Sequence, residues 1–254
     1  MMFKMKYEIG KQYLTPKTQR RPGLPMPYVG FIVSHDTGND GSTASANVKY
    51  YENSHNEMSA SAHTFIDDKQ IIECIPATTA KPEKAWHVRY NVKRDNELFG
   101  GDANDIAIGV ELCFSHKRGS VNNHEAYKRY VWYHAYLCHT FNLDPRKHIV
   151  GHDELDPDRK VDPFKNALKL MGIRKEHFIQ DVQNELNSCT QMNIPDGESK
   201  GVKKLDKLAV AEAHKAIDRL AKEGILSSPD YWKARVEDSL PVWAYMIMEY
   251  RKIK

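Results

Sequence analysis

YVGFIVS, residues 28–34, opens after Pro27 and closes on HDTGNDG, residues 35–41. It is apolar at consecutive positions and too short for a helix of ordinary length. It therefore reads as a strand buried on both faces, running into a glycine-rich loop. Working outward, IAIGVELCF (residues 106–114) is β-rich with an internal glycine and reads as a second core strand. HTFIDD (63–68) and QIIECI (70–75) read as two strands joined by a tight Asp-Lys turn. The period then changes. Tyr127, Tyr130, Val131, His134, Leu137, Cys138 and Phe141 fall at three- and four-residue steps, which predicts an amphipathic helix over His124–Phe141. A second helix is expected over Arg174–Leu186, and an earlier one over Ser42–Asn53 with Ser42 or Thr43 as its cap. Strands interrupted by helices predict an α/β domain with a mixed central β-sheet flanked by helices.

Near residue 190 the composition shifts. Ser188–Gly201 is polar, contains Pro195 and Gly197, and has neither helical nor strand period, so it reads as a linker. Beyond it, Leu205, Leu208, Ala209, Ala213, Ala216, Ile217 and Leu220 make one helical stripe that stops at Gly224, a C-cap position. Ser228-Pro229-Asp230 begins a turn or short helix around Tyr231-Trp232, and Pro241 suits the first turn of a last helix. The expected organisation is an α/β domain over residues 1–187, a linker over 188–202 and a small all-α module over 203–254. No internal repeat at the usual solenoid periods is present.

Composition narrows the classes. In 254 residues, 41% hydrophobic and 28% charged is globular and excludes a disordered or fibrous chain. No apolar run approaches the ~20 residues of a membrane helix, and MMFKMKYEIGKQYL lacks the apolar centre of a secretion signal. The four cysteines never form C-x-x-C, which argues against a disulfide framework or a cysteine-built zinc site and fits a reducing cytosol. A net charge of +3 is too small to suggest nucleic acid. It is unevenly placed, however. Residues 200–254 carry 12 Lys+Arg against 8 Asp+Glu, while the rest sits at −1. A basic tail behind a neutral body suits an anionic surface.

Two histidines stand where chemistry is displayed. His35 directly follows the first strand and opens the glycine-rich loop, and strand ends are where α/β folds present ligands. His152 lies in IVGHDELDPDRKVDP, a loop with two Asp-Pro pairs, and Asp162 follows ten residues later. Taken singly, a strand-end histidine is more often structural, and Asp before Pro more often forms a turn. Taken together, two histidines and a carboxylate leave a fourth tetrahedral position open, the requirement of a catalytic zinc site. His148 is four residues before His152, but Pro145 and Gly151 bracket the pair and argue against a shared helix face.

His35 in FIVSHDTG, His63 in SAHTFIDD, Trp86-His87 in KAWHV, Glu111 in IGVELC, and GHDELDPDRKVDP together resemble the zinc-dependent N-acetylmuramoyl-L-alanine amidases of type 2. These share a fold with animal peptidoglycan recognition proteins and bacteriophage amidases, and the resemblance covers Tyr28–Phe164. It implies that His35, His152 and Asp162 hold Zn2+, with aspartate where some relatives have cysteine. It implies that Glu111 is the catalytic glutamate and Lys160 the catalytic lysine. Amide hydrolysis needs a base for the attacking water, an acid for the leaving amine and a cation for the oxyanion, and these two side chains supply them. His63 is expected either to support the ligands or to pack as a polar core residue. Trp86 and His87 are expected to line the substrate groove.

The activity implied is cleavage of the bond between N-acetylmuramic acid and L-alanine in bacterial peptidoglycan. The C-terminal module resembles, less specifically, the helical tails of phage and prophage amidases, through SSPDYW and LPVWA. It would attach to teichoic acid or another wall polymer, or form a homo-oligomer; its plainer reading is a helical pair packed on the first domain. An endolysin made in the host cytoplasm without a signal peptide, and acting on the wall after release, is the expected setting. The rival is a non-catalytic peptidoglycan-binding protein on the same fold, and more remotely a zinc peptidase or nuclease of another fold. The chain has no H-E-x-x-H.

Overall fold

The computed structural model describes residues 3–116, 119–190, 207–223, 229–234 and 236. Six strands form one sheet: β1 (Ile9–Lys11), β2 (Phe31–Asp36), β3 (Thr64–Ile66), β4 (Ile71–Glu73), β5 (Ala107–Leu112) and β6 (Ile149–Gly151). Their order is β1-β4-β3-β5-β2-β6, with only β3 and β4 antiparallel, so the sheet is mixed as expected. The helices are α1 (Ala44–Asn53), α2 (Arg94–Phe99), α3 (Ala103–Ile106), α4 (Asn123–Phe141), α5 (Pro145–His148), α6 (His152–Leu155), α7 (Ala167–Leu170), α8 (Lys175–Thr190), α9 (Lys207–Lys222) and α10 (Pro229–Ala234). None of the helices among the described residues is long and apolar enough to cross a membrane.

β2 sits between β5 and β6, and all six of its residues are buried, the mark of a parallel strand covered on both faces. Successive side chains alternate between faces. Ser34 therefore points to the side of α4, where its hydroxyl donates to His134 Nε2 at 3.0 Å. The Tyr130 hydroxyl on the same helix donates to the His35 carbonyl at 3.0 Å. α8 closes that layer through Phe178, whose ring lies 5.4 Å from Tyr130 and 5.0 Å from His134. His35 points the other way. The register pairs it with Glu111 on β5, so both side chains leave the same face of the sheet. Phe31, Val33, Val88, Ile106, Val150 and Leu155 form the apolar floor of that face.

Several expectations need correcting. His35 lies inside β2 rather than after it, because the ladder with β5 runs on to Asp36. The run 149–162 is not all loop: Ile149–Gly151 pairs with β2, and His152–Leu155 makes one helical turn in which the Glu154 carboxylate accepts from the Gly151 N–H at 2.8 Å. Such a short strand carries no readable period. Ser188–Thr190 continue α8 instead of opening a linker, and the Cys189 carbonyl accepts from Lys4 N–H at 2.9 Å. The rest of that linker, with Leu205, Gly224 and the last helix, lies outside the described residues. The cap of α1 is Thr43, whose hydroxyl accepts from Ala46 N–H at 3.2 Å.

The chain divides into two compact units, Met1–Gln191 and Met192–Lys254. In the second, Ala213, Ala216, Ile217 and Leu220 of α9 are buried.

β4 ends on a buried anion. The Glu73 carboxylate accepts from the N–H groups of Ala77, Thr78 and Thr79 at 3.2, 2.9 and 3.1 Å, from the Thr78 and Thr79 hydroxyls, and from the Tyr133 hydroxyl at 3.0 Å. Glu73→Leu strands these donors without a partner. We expect it to lower stability by about 3 kcal/mol, read as a fall in the urea midpoint at unchanged m-value. An unchanged midpoint would show that the anion does not hold this turn.

Candidate metal centre

Three ligand atoms converge above the end of β2. His35 Nδ1 lies 3.0 Å and His152 Nδ1 3.1 Å from Asp162 Oδ2, and all three donors fall within 4.8 Å of one another. Each arrives on a different element. His35 comes from the central strand, His152 is the first residue of α6, directly after β6, and Asp162 lies on the turn that follows. That turn is fastened twice. Asp153 N–H donates to the Asp162 carbonyl at 2.8 Å. Asp36, on the opposite face of β2, accepts from Asn166 Nδ2 at 2.8 Å and from Ala167 N–H at 3.0 Å.

The donor set fits a zinc-sized ion. Donors about 2.1 Å from a tetrahedral ion stand roughly 3.4 Å from each other, close to the two separations present here. Two imidazoles and a carboxylate are borderline-soft and hard donors of the kind zinc takes, and three of them leave a fourth position for solvent. Two unmatched polar atoms lie here too: His152 Nε2 and Glu111 Oε2 are enclosed and have no hydrogen-bond partner.

Electrostatics separates the groups by role. Burial pushes the Glu111 carboxyl well above the usual glutamate range, and the Asp162 and Asp36 carboxylates push the same way against the opposing charge of Lys160. Burial would raise Asp162 as well, but its two imidazole partners outweigh that and hold it well below the usual range. His35 is lowered to about 4, chiefly by burial, so it stands neutral at pH 7, the form that binds a metal. One carboxylate is thus kept ionised, while the proton affinity of its neighbour is raised.

The other expected residues divide. Lys160 sits two residues before Asp162 in a turn where its N–H donates to the Asp156 carbonyl at 2.9 Å, and its charge is felt by both Glu111 and His35. His63 is fully buried and touches none of the three donors. Its Nδ1 accepts from Gly109 N–H at 3.0 Å and its Nε2–H donates to the Glu83 carbonyl at 2.9 Å. It belongs with the packed core histidines. His87 is not on a groove wall: it is 7% exposed, and its Nδ1 lies 3.1 Å from His35 Nε2. It is buried because Gly109 beneath it has no side chain. Trp86 stays partly exposed, its ring 5.9 Å from that of Tyr90. His148 and His152 are separated by β6, so they share no helix face. Tyr130, Asp36 and Gly109 also serve the site and were not singled out for it. Only Gly109 carried a signal, since a glycine inside an apolar strand marks a close approach.

The fold and this donor set define a class: a mixed-sheet α/β domain with a three-donor cluster able to hold a metal ion and a raised carboxyl beside it. The chain belongs to the N-acetylmuramoyl-L-alanine amidase family, whose model, Amidase_2, matches residues 25–165. It is similar to N-acetylmuramoyl-L-alanine amidase BlyA of Bacillus subtilis (strain 168), at 32% identity over 175 residues, 62% of this chain and 46% of that protein. The chain spans under half the length of the curated relatives it matches. Among solved structures, a mutant endolysin from Bacillus subtilis shares the fold, with TM-score 0.54 and 22% identity over 69% of this chain and 99% of that one. The catalytic domain of PlyG gives TM-score 0.53 and 26% identity over 73% and 99%.

Proposed function

We propose that this protein is a zinc-dependent amidase that hydrolyses the bond between N-acetylmuramic acid and the L-alanine of the peptide stem in bacterial peptidoglycan. The observation that carries the reading is the placing of Glu111 on the same sheet face as the His35, His152 and Asp162 donors, in a chain of the amidase family. His35, His152 and Asp162 would hold the ion. Bound zinc would supply Lewis acidity, polarising a carbonyl and acidifying water toward a pKa of ~7. Glu111 takes the proton of the attacking water at its carboxylate and returns it to the alanine nitrogen as the amide breaks, which leaves a muramyl carboxylate and a free amine. Lys160 is the fixed cation beside the charge that develops on the carbonyl oxygen. Trp86 offers an aromatic face to the sugar or peptide.

Its test is the appearance of free alanine amino termini and peptide-free muramic acid when zinc-loaded protein meets purified Gram-positive wall. Release of new reducing sugar ends instead would make it a glycosidase. Wall binding with one zinc per chain but no release would make it a binding protein on an amidase fold.

The fuller form of the reading is a phage or prophage endolysin, made in the host cytoplasm and acting on the wall after release. Likeness of fold to an endolysin supports it. The second unit is read as an attachment module for teichoic acid or another anionic wall polymer, supported by its excess of basic residues and its separate compactness. A chain ending at Gln191 is expected to keep its rate on soluble muropeptide within about threefold. It should lose most of its sedimentation with intact wall, since tethering is what raises the substrate concentration it meets. Undiminished sedimentation would remove the attachment role, and a halved native mass would point to self-association in its place.

A further inference from the structure

We propose that His87 is a positioning residue that locks the tautomer of His35, and that Gly109 is side-chain-free to admit it; this rests on the metal-centre reading above. The chain of hydrogen bonds starts at an atom that can only accept. The Ala107 carbonyl lies 3.1 Å from His87 Nε2, so the single proton of the neutral His87 ring sits on Nε2. His87 Nδ1 is then an acceptor, and His35 Nε2, 3.1 Å away, must donate to it. The His35 proton is thereby committed to Nε2, and Nδ1 carries a bare lone pair. That lone pair faces Asp162 Oδ2 at 3.0 Å. Two acceptors brought this close call for a cation between them, and a tautomer fixed in advance spares the site that reorganisation when the ion arrives.

The ring of His87 is itself held from two sides. The backbone N–H groups of His87 and Val88 both donate to Asn104 Oδ1, at 2.8 and 3.0 Å, while Asn104 Nδ2 donates back to the Val88 carbonyl at 2.6 Å. Below it lies Gly109 on β5. A Cβ there would stand 2.7 Å from His87 Cγ and 2.8 Å from its Nδ1. These atoms lie at the root of a short side chain and cannot swing clear. The backbone of Gly109 is in a region open to alanine, so what a methyl group would displace is the imidazole.

The experiment measures zinc affinity by chelator competition in the full chain, for wild type, His87→Ala, Gly109→Ala and the double variant, alongside thermal unfolding of the metal-free forms. Both single variants should weaken zinc by about 10–100-fold. The double variant should be no weaker than His87→Ala, because an alanine at 87 leaves nothing for the new methyl to strike. A merely structural role would lower the melting temperature and leave zinc affinity alone. Equal affinity of wild type and His87→Ala overturns the lock while leaving the metal centre standing. Independently of zinc or folding of any variant, 15N imidazole spectra of the metal-free wild type should place the proton on Nε2 of both His87 and His35. A proton on Nδ1 of either overturns the lock, and a wild type with the expected tautomers that takes up no zinc overturns the metal-centre reading instead.

Discussion

Glu111→Gln is expected to slow amide hydrolysis by about 10²–10⁴-fold while the protein still binds one zinc per chain. The amide keeps the shape of the carboxylate but cannot accept a proton from water or hand one to the leaving nitrogen. Glu111 is not among the three donors, so metal content should hold. Its Oε2 is enclosed and makes no hydrogen bond, and burial already disfavours its charge. The same substitution should therefore leave thermal stability unchanged or raised, because a half-buried carboxylate with one enclosed, unbonded oxygen costs free energy in the folded state. The release of alanine amino termini at matched zinc occupancy decides the matter. A variant as fast as wild type removes Glu111 from proton transfer, and a slow variant that has lost its zinc moves it among the ligands.

Asp162→Ala should act through the metal. It deletes the one oxygen that both imidazole nitrogens approach, at 3.0 and 3.1 Å. If a binding free energy of about 10–16 kcal/mol is shared among four ligands, losing one weakens zinc by on the order of 10²–10³-fold or more. Activity should vanish at limiting zinc and return in part at high zinc. Chelation of the wild type should likewise abolish activity, and zinc should restore it. The contrast with Glu111→Gln is diagnostic, since added zinc rescues the one and not the other. If Asp162→Ala binds zinc as tightly as wild type, the carboxylate is only a hydrogen-bond acceptor for two histidines, and the three-donor centre is wrong.

Much of this was legible because of where period and chemistry coincide. Residues 28–34 and 106–114 are long enough in apolar run to be seen as core strands, and the Tyr130–His134 helix shows its face at three- and four-residue steps. The three donors were legible only as a set, each alone having a plainer meaning. β6 and α6 were missed because elements of three and four residues carry no period, even though they deliver His152. In sequence, Trp86-His87 reads as one groove-lining pair. The structure separates them: tryptophan stays at the surface, and histidine folds inward onto the space above Gly109.

Local chemistry along the chain was enough to expect a mixed α/β domain and three candidate metal donors, since strand length, helical period and donor type are properties of neighbouring residues; the parts expected of Glu111 and Lys160 came from the family resemblance. Which of those side chains meet was decided in three dimensions. The register that sets His35 beside Glu111, the turn that swings Asp162 back over β2, and the vacancy above Gly109 that draws His87 beneath His35 all arise between segments far apart in the chain. Pairing register and close packing depend on contacts that no window of sequence contains, and at this centre a shift of one residue would turn the ligand or the carboxylate to the opposite face of the sheet.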